Sequence, residues 1–290
     1  MQKKKIIFIV NPKAGVEKGF SEATIHSIID QNKFEIVVVQ TKFEGHAVEI
    51  AREAALNGSH IVVACGGDGT VNEVAQGIDG SSSILGIIPL GSGNGLARHL
   101  GISMNIVKAL KIINSGKTLL INRGQINGKL FLCAAGFGFD AHVAKLFRRS
   151  NKRGLISYIR FILKEFKNYP TFNFVNPIDS KKYTRLFLCS VANANQFGND
   201  FKLVPDKKVT DMHLQLVLVK KPSFFQFIQL AYHARFGNPL KLKIVHAIKI
   251  PSEVTINAPS LLAHVDGEPI AFDSTEVKIE LIKNRVRVMV

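Results

Sequence analysis

The stretch "HIVVACGGDGTVNEVAQGI", residues 60–78, constrains the fold more than any other part of this chain. Ile61, Val62, Val63 and Ala64 form a continuous apolar run rich in β-branched side chains. That is the pattern of a strand buried on both faces of a parallel sheet. Three glycines follow within four residues, with Asp68 among them. Val71, Val74, Ala75 and Ile78 then recur at helical spacing. Thr70 with Glu73 three residues later has the form of a capping box, so a helix is expected to start at Thr70 and stop near Gly80. Strand, glycine loop and helix in that order aim free backbone N–H groups at a point no side chain crowds, a natural seat for phosphate. A carboxylate there repels phosphate unless a metal ion or a transferred proton stands between them.

The same grammar repeats on either side. Residues 6–10, 34–40 and 84–88 read as strands, and residues 21–32 and 45–56 as helices, the second with Val48, Ala51 and Ala55 on one face and closed by Gly58. Four strand ends carry Gly or small polar residues: 11–15, 41–45, 66–70 and 91–94. In a parallel α/β sheet such ends converge on one crevice. Beyond about residue 118 the pattern changes. Asn127-Gly128 between apolar runs predicts a hairpin, and several later segments alternate with period two. Helices are expected there only near 141–168 and 223–235. The expectation is an α/β domain over residues 1–120 that binds a nucleotide, and a mainly antiparallel β domain over residues 121–290.

Of the 290 residues, 46% are hydrophobic and 21% charged, which argues for a globular chain and against disorder. No apolar run approaches the length of a membrane span. The N-terminal apolar run stops at Val10, too short for a signal-peptide core. Cys65, Cys133 and Cys189 are isolated and lie beside strand-like sequence, which suits buried thiols in a reducing compartment. The expected location is cytoplasmic. The net charge of +16 favours an anionic partner. Between 145 and 169, Lys145, Arg148, Arg149, Lys152, Arg153, Arg160, Lys164 and Lys167 face the single Glu165, and Leu155, Ile156, Ile159, Phe161, Ile162, Leu163 and Phe166 are interleaved. This basic amphipathic segment suits either a solvated helix face over a core or an anionic membrane surface. No nucleic-acid motif accompanies it, so nucleic acid would rest on charge alone.

No Walker-type G-x-x-x-x-G-K-[ST] is present. "GFGFDA", residues 136–141, fits G-x-G-x-x-A but leads into basic helices rather than a strand ending in an acidic residue, so it reads as a structural turn. "VDGEP", residues 265–269, is either an Asp-Gly hairpin turn or a carboxylate pair, Asp266 and Glu268, that handles a proton or a metal. Spacing alone favours the turn.

"GGDGTVNEV", "PLGSGNGLAR" and the late "DGE", with "NPKAG", "TKFEGHAVEIA" and "GFGFDA", resemble the diacylglycerol kinase catalytic family of lipid kinases, in its bacterial form and related to sphingosine and ceramide kinases. The resemblance runs in order along nearly the whole chain. The double-glycine aspartate motif is also found in NAD kinases and phosphofructokinases; the other two narrow it. The resemblance implies a Rossmann-like domain of the NAD kinase and diacylglycerol kinase type, a β-sandwich C-terminal domain, and ATP in the cleft between them. It implies ATP-dependent transfer of the γ-phosphate to a lipid hydroxyl, on a diacylglycerol-like or sphingoid acceptor. An NAD kinase-like small-molecule kinase and a non-catalytic nucleotide- or lipid-binding protein are the alternatives.

The resemblance also implies residue roles. Nucleotide contacts would come from Asn11, Pro12, Lys13, Ala14, Gly15, Thr41, Gly66, Gly67, Asp68, Gly69, Thr70, Val71, Asn72, Ser92 and Asn94. Asp266 would be the general base, supported by Glu268; in the sphingosine kinase branch the base role falls to the position of Asp68. Mg2+ would accompany ATP, and a structural Mg2+ would sit near Lys208, Asp211 and His213. The partners implied are ATP, a lipid alcohol and, peripherally, an anionic membrane surface. Two departures stand out. The second glycine loop reads Gly91-Ser92-Gly93-Asn94-Gly95 where bacterial members commonly have G-T-x-N-D, and Asp211 is followed by Met212 where Asp-Gly is usual.

Overall fold

The β-branched runs of the first third do form a parallel sheet. The computed structural model describes residues 3–14, 20–149 and 155–290, with backbone alone at 155–160 and 284. It divides into one unit of Met1–Ile121 with Asn284–Val290 and another of Asn122–Lys283. In the first unit, strands β1 (Lys4–Val10), β2 (Phe34–Gln40), β3 (Ile61–Gly66) and β4 (Ile84–Pro89) alternate with helices α1 (Glu22–Ile28), α2 (His46–Leu56) and α3 (Asp68–Gly77). Helices α4 (Gly95–His99) and α5 (Ile106–Ser115) follow. The strand order is β2-β1-β3-β4, all parallel, and every residue of β3 is buried. The register places Val10 opposite both Gln40 and Cys65, and Gly66 opposite Pro89, so the C-terminal ends of the four strands lie level. The end of the chain returns here, with Val288 parallel to Leu85.

Helix boundaries show where local signals are overridden. Ser21 caps α1 by accepting the Thr24 N–H, but α1 ends at Ile28 rather than residue 32, because Asp30 opens a turn and accepts the Asn32 N–H. Helix α3 begins two residues before the expected cap: Gly67 is its N-cap and Thr70 lies inside its first turn. The capping box expected of Thr70 and Glu73 is therefore absent. The Thr70 hydroxyl instead accepts from Asn11 Nδ2 at 3.1 Å, and the Glu73 carboxylate accepts the N–H groups of Gly45 and Ala47 at the start of α2. Helix α3 ends at Gly77, and Gly80, with φ +80, serves the turn beyond it.

The second unit is built from strands. Its chain runs through β5 (Thr118–Ile126), β6 (Lys129–Phe131) and β7 (Ala134–Gly138), then α6 (Phe139–Arg149) and α7 (Leu155–Phe166). Next come β8 (Phe172–Val175), β9 (Lys182–Ala192), β10 (Leu214–Lys220) and α8 (Phe224–Phe236). It closes with β11 (Val245–Ile250), β12 (Glu253–Asn257), β13 (Leu262–Val265), β14 (Glu268–Ala271) and β15 (Glu276–Met289). The expected hairpin at Asn127-Gly128 joins β5 and β6, both turn residues having positive φ. One antiparallel sheet has the order β11-β10-β9-β7-β13-β14, with β8 on β9. Facing it are the antiparallel pairs β5 with β6 and β12 with β15. Phe137, Leu216 and Leu218 of the first layer and Ile126, Phe131, Ile256 and Ile279 of the second share one buried cluster, which makes this unit a β-sandwich.

The glycines of "GFGFDA" are structural, as expected. Both neighbours of β7 are antiparallel, so no βαβ unit exists here. A Cβ at Gly136 would stand 2.1 Å from Ser190 Oγ, and Gly138 has φ +103. In the basic segment, Phe161, Ile162 and Phe166 pack against buried Phe139, Val143 and Phe187, so these apolar residues cover a core. Lys152 and Arg153 lie outside the described residues, as do the side chains of residues 155–160.

Candidate active site

In the first unit two glycine loops touch at the level strand ends. Gly67 and Gly91 approach so closely that a Cβ on Gly91 would meet Gly67 Cα at 2.5 Å. A Cβ on Gly66 would meet Thr70 Oγ1 at 2.3 Å. These two glycines are required by the frame itself. Gly67 differs: a Cβ there has one neighbour, Gly91 Cα at 3.4 Å, an ordinary contact. Its freedom from side chain keeps the start of α3 open rather than fitting the frame. The loops are also tied by polar bonds. Leu90 N–H donates to Gly66 O at 2.9 Å, and Asp68 Oδ1 accepts the Gly95 N–H at 2.6 Å. Asn94, left-handed at φ +50, bonds Gly91 through both ends of its amide. Arg98 Nε donates to Gly93 O.

The first unit therefore brings together most of the expected nucleotide residues and sorts them. Thr70, Val71, Asn72 and Asn94 are buried and build the loops; Asn72 Oδ1 accepts from Gln76 within α3. Asn11 holds the end of β1 to the start of α3 by its bond to Thr70, and its Oδ1 accepts the Lys13 N–H. The Ala14 N–H returns to Asn11 O, and Thr41 N–H bonds Val10 O. Pro12, Lys13 and Ser92 are exposed. Gly69 lies in the first turn of α3, whose opening N–H groups have no side-chain cap at Gly67. Gly15 lies outside the described residues.

In the second unit, Asp266 and Gly267 form the β13–β14 turn, with φ of +48 and +86 and Val265 paired to Glu268. The hairpin reading of the sequence is thus right, and the carboxylate has a further task. It accepts three backbone N–H groups, from Leu132 and Cys133 at 2.8 Å and Ala134 at 3.0 Å. Glu268, on the exposed side of the turn, pairs with Arg148 of α6. Beneath the turn, His264 Nδ1 accepts the Gly267 N–H while its Nε2 meets Asp140 Oδ2 at 2.9 Å, and Ser190 donates to the same oxygen. This assignment makes His264 a donor at Nε2. His264, Asp140 and Ser190 were not singled out from the sequence. The Asp of "GFGFDA" and the His two residues before Asp266 were the available signals.

Of the three residues implied for a structural Mg2+, Asp211 and Lys208 are bonded to a lysine side chain. Asp211 Oδ2 is bonded by Lys207 Nζ at 3.3 Å and by the Lys208 N–H at 3.0 Å, and Lys207 Nζ also donates to Lys208 O at 2.8 Å. The two oxygens that would face a metal thus face an ammonium. Burial pushes His213 below its usual range, and it offers an imidazole where a hard cation takes oxygens. Among the described residues no three His, Cys, Asp or Glu side chains are grouped to hold a metal. Nor is any described helix long and apolar enough to cross a membrane.

Comparison with known proteins agrees with this architecture. Residues 5–126 match the diacylglycerol kinase catalytic domain, and residues 133–290, more than half of the chain, match the YegS C-terminal NAD kinase beta sandwich-like domain. The diacylglycerol kinase of Bacillus subtilis (strain 168) is 29% identical over 92% of this chain and 90% of its own length. That of Staphylococcus saprophyticus is 28% identical over 92% and 89%. The crystal structure of a diacylglycerol kinase from Bacillus anthracis str. Sterne shares the fold, with a TM-score of 0.73 over 100% of this chain and 97% of that one at 22% identity. With the glycine-loop domain first and the β-sandwich second, the chain belongs to the diacylglycerol kinase catalytic family and is a lipid kinase, a phosphotransferase that uses ATP.

Proposed function

We propose that this chain phosphorylates the free hydroxyl of a diacylglycerol with Mg·ATP at an anionic membrane surface. The observation that carries the nucleotide half is the contact of Gly67 with Gly91 beside the start of α3, where no side chain caps the helix and a Cβ on Gly67 would have one neighbour within 4 Å, so the phosphates are assigned to the backbone N–H groups there. Asp68, fixed by the Gly95 N–H, is the carboxylate assigned to the Mg2+ that travels with the nucleotide; that ion would neutralise phosphate charge. Asp266 is assigned the proton of the attacking hydroxyl, with its orientation set by the Leu132, Cys133 and Ala134 N–H groups. His264 and Asp140 act as positioning residues for its turn. The acceptor is proposed from the named relatives.

The membrane is proposed from α8. Phe225, Ile228, Tyr232 and Phe236 are spaced three and four residues apart on one helix face, and all are exposed, Phe225 by 77% and Phe236 by 72%. On the opposite side Ala234 is buried and Phe227, Leu230 and Ala231 are half-buried. Residues 212–252 contain no Asp or Glu, while Lys220, Lys221, Arg235, Lys241, Lys243 and Lys249 are cationic. An exposed aromatic face in a stretch of chain that carries cations and no carboxylate complements an anionic lipid interface. The proposal is tested by incubating the purified chain with labelled ATP, Mg2+ and separate vesicles carrying diacylglycerol, monoacylglycerol, a polyprenol or a sphingoid base. Label in phosphatidic acid alone is expected. Label only in a sphingoid phosphate would move the acceptor to that class.

A further inference from the structure

Lys207 lies in the loop of residues 204–213 between β9 and β10, and it is 2% exposed, one of the largest fully buried side chains of the described chain. A buried ammonium is costly unless paired and hydrogen-bonded. Here it has both: the Asp211 carboxylate and the Lys208 carbonyl. The loop closes around it. Lys207 N–H donates to Val204 O, Asp211 N–H to Lys208 O, and Asn195 Nδ2 to Pro205 O. Asn122 fastens the loop to β5 twice, its N–H on Val209 O and its Nδ2 on Asp211 O.

One loop carbonyl, Lys208 O, and one carboxylate, Asp211, close on a buried positive charge, which is the beginning of a cation site. The charges balance with a monocation, since a single carboxylate faces the centre. A small divalent ion would ask for several more oxygens in near-octahedral array. The consequences reach the turn that holds Asp266. Asn193 Nδ2 bonds both Asn122 O and Leu132 O, and Leu132 N–H bonds the Asp266 carboxylate.

We infer that the Lys207 ammonium is the built-in cation of this loop, standing among the residues that the sequence resemblance implied for a structural Mg2+, so that the second unit holds its structure without one. The test uses thermal unfolding of the whole chain with neither ATP nor lipid present, so its failure is separate from that of the kinase reading. Wild type and Lys207→Ala are each melted in EDTA and in millimolar Mg2+, and the metal content of untreated wild type is measured. Wild type is expected to melt at the same temperature in both buffers and to carry no stoichiometric divalent metal. Lys207→Ala should melt roughly 10 °C lower in EDTA, the scale expected for stranding one partner of a buried pair. It should recover part of that loss in Mg2+, since the vacated oxygens can then take an ion. A wild type that loses stability in EDTA, or carries one divalent metal per chain, overturns the inference. A variant equally impaired in both buffers also overturns it, because the side chain then serves packing alone. If the variant does not fold, the wild-type chelation and metal content still decide.

Discussion

At the scale of single residues, the glycines of the two loops are not equivalent. Gly66→Ala and Gly91→Ala should cost stability, about 1–3 kcal/mol each, because the new methyl meets Thr70 or the Gly67 backbone. Gly67→Ala should leave the denaturation midpoint almost unchanged and weaken ATP binding roughly tenfold or more by calorimetry. Equal ATP affinity in that variant would remove the phosphate from this loop. Asp266 is a harder case. Asparagine suits the turn conformation, but its NH2 group must face one of three N–H donors that the carboxylate now accepts. Asp266→Asn is therefore expected to lose about 1–3 kcal/mol of stability. Assayed well below its melting temperature, it should also lose turnover by roughly 10²–10⁴-fold. Near-normal turnover would pass the base role to Asp68.

At the scale of elements, much of the fold was legible and some of it was not. Strands β3 and β4 begin where their apolar runs begin, because burial on both faces leaves such sequences no alternative. The start of α3 was misread because Thr70 and Glu73 satisfy partners far away in sequence, Asn11 and the N-terminal N–H groups of α2, which no local pattern encodes. Lys207 was invisible for the same reason: in sequence it is one lysine of a polar loop, and only folding buries it. In the segment with the most basic charge, Phe161, Ile162 and Phe166 of α7 cover a core while Leu163 is exposed. The open aromatic face belongs to α8. Replacing Phe225, Tyr232 and Phe236 together by Ser should weaken binding to anionic vesicles by at least about tenfold in a sedimentation assay while leaving the melting temperature in place, since these side chains are exposed. Unchanged vesicle binding would show that α8 does not meet lipid.

At the scale of the whole molecule, the first unit is not contiguous in sequence. Residues 284–290 return to it, and Val286, Val288 and Met289 are buried there. Removing these residues should cost on the order of 5 kcal/mol in lost apolar burial. That is enough to abolish cooperative unfolding of the first unit, given the usual margin of domain stability; a truncated chain with an unchanged two-state transition would contradict this. The family, the level strand ends and the paired glycine loops all concern one chemical act, transfer of phosphate to a lipid alcohol. The most direct measurement is phosphorus NMR of the purified chain with Mg·ATP and a short-chain diacylglycerol in anionic micelles. The account predicts loss of the ATP γ-phosphorus signal matched by growth of a phosphatidic acid signal, and neither change with Asp68→Asn. ATP consumed without a phosphorylated lipid, or lipid phosphorylated equally well by the Asp68 variant, would contradict it.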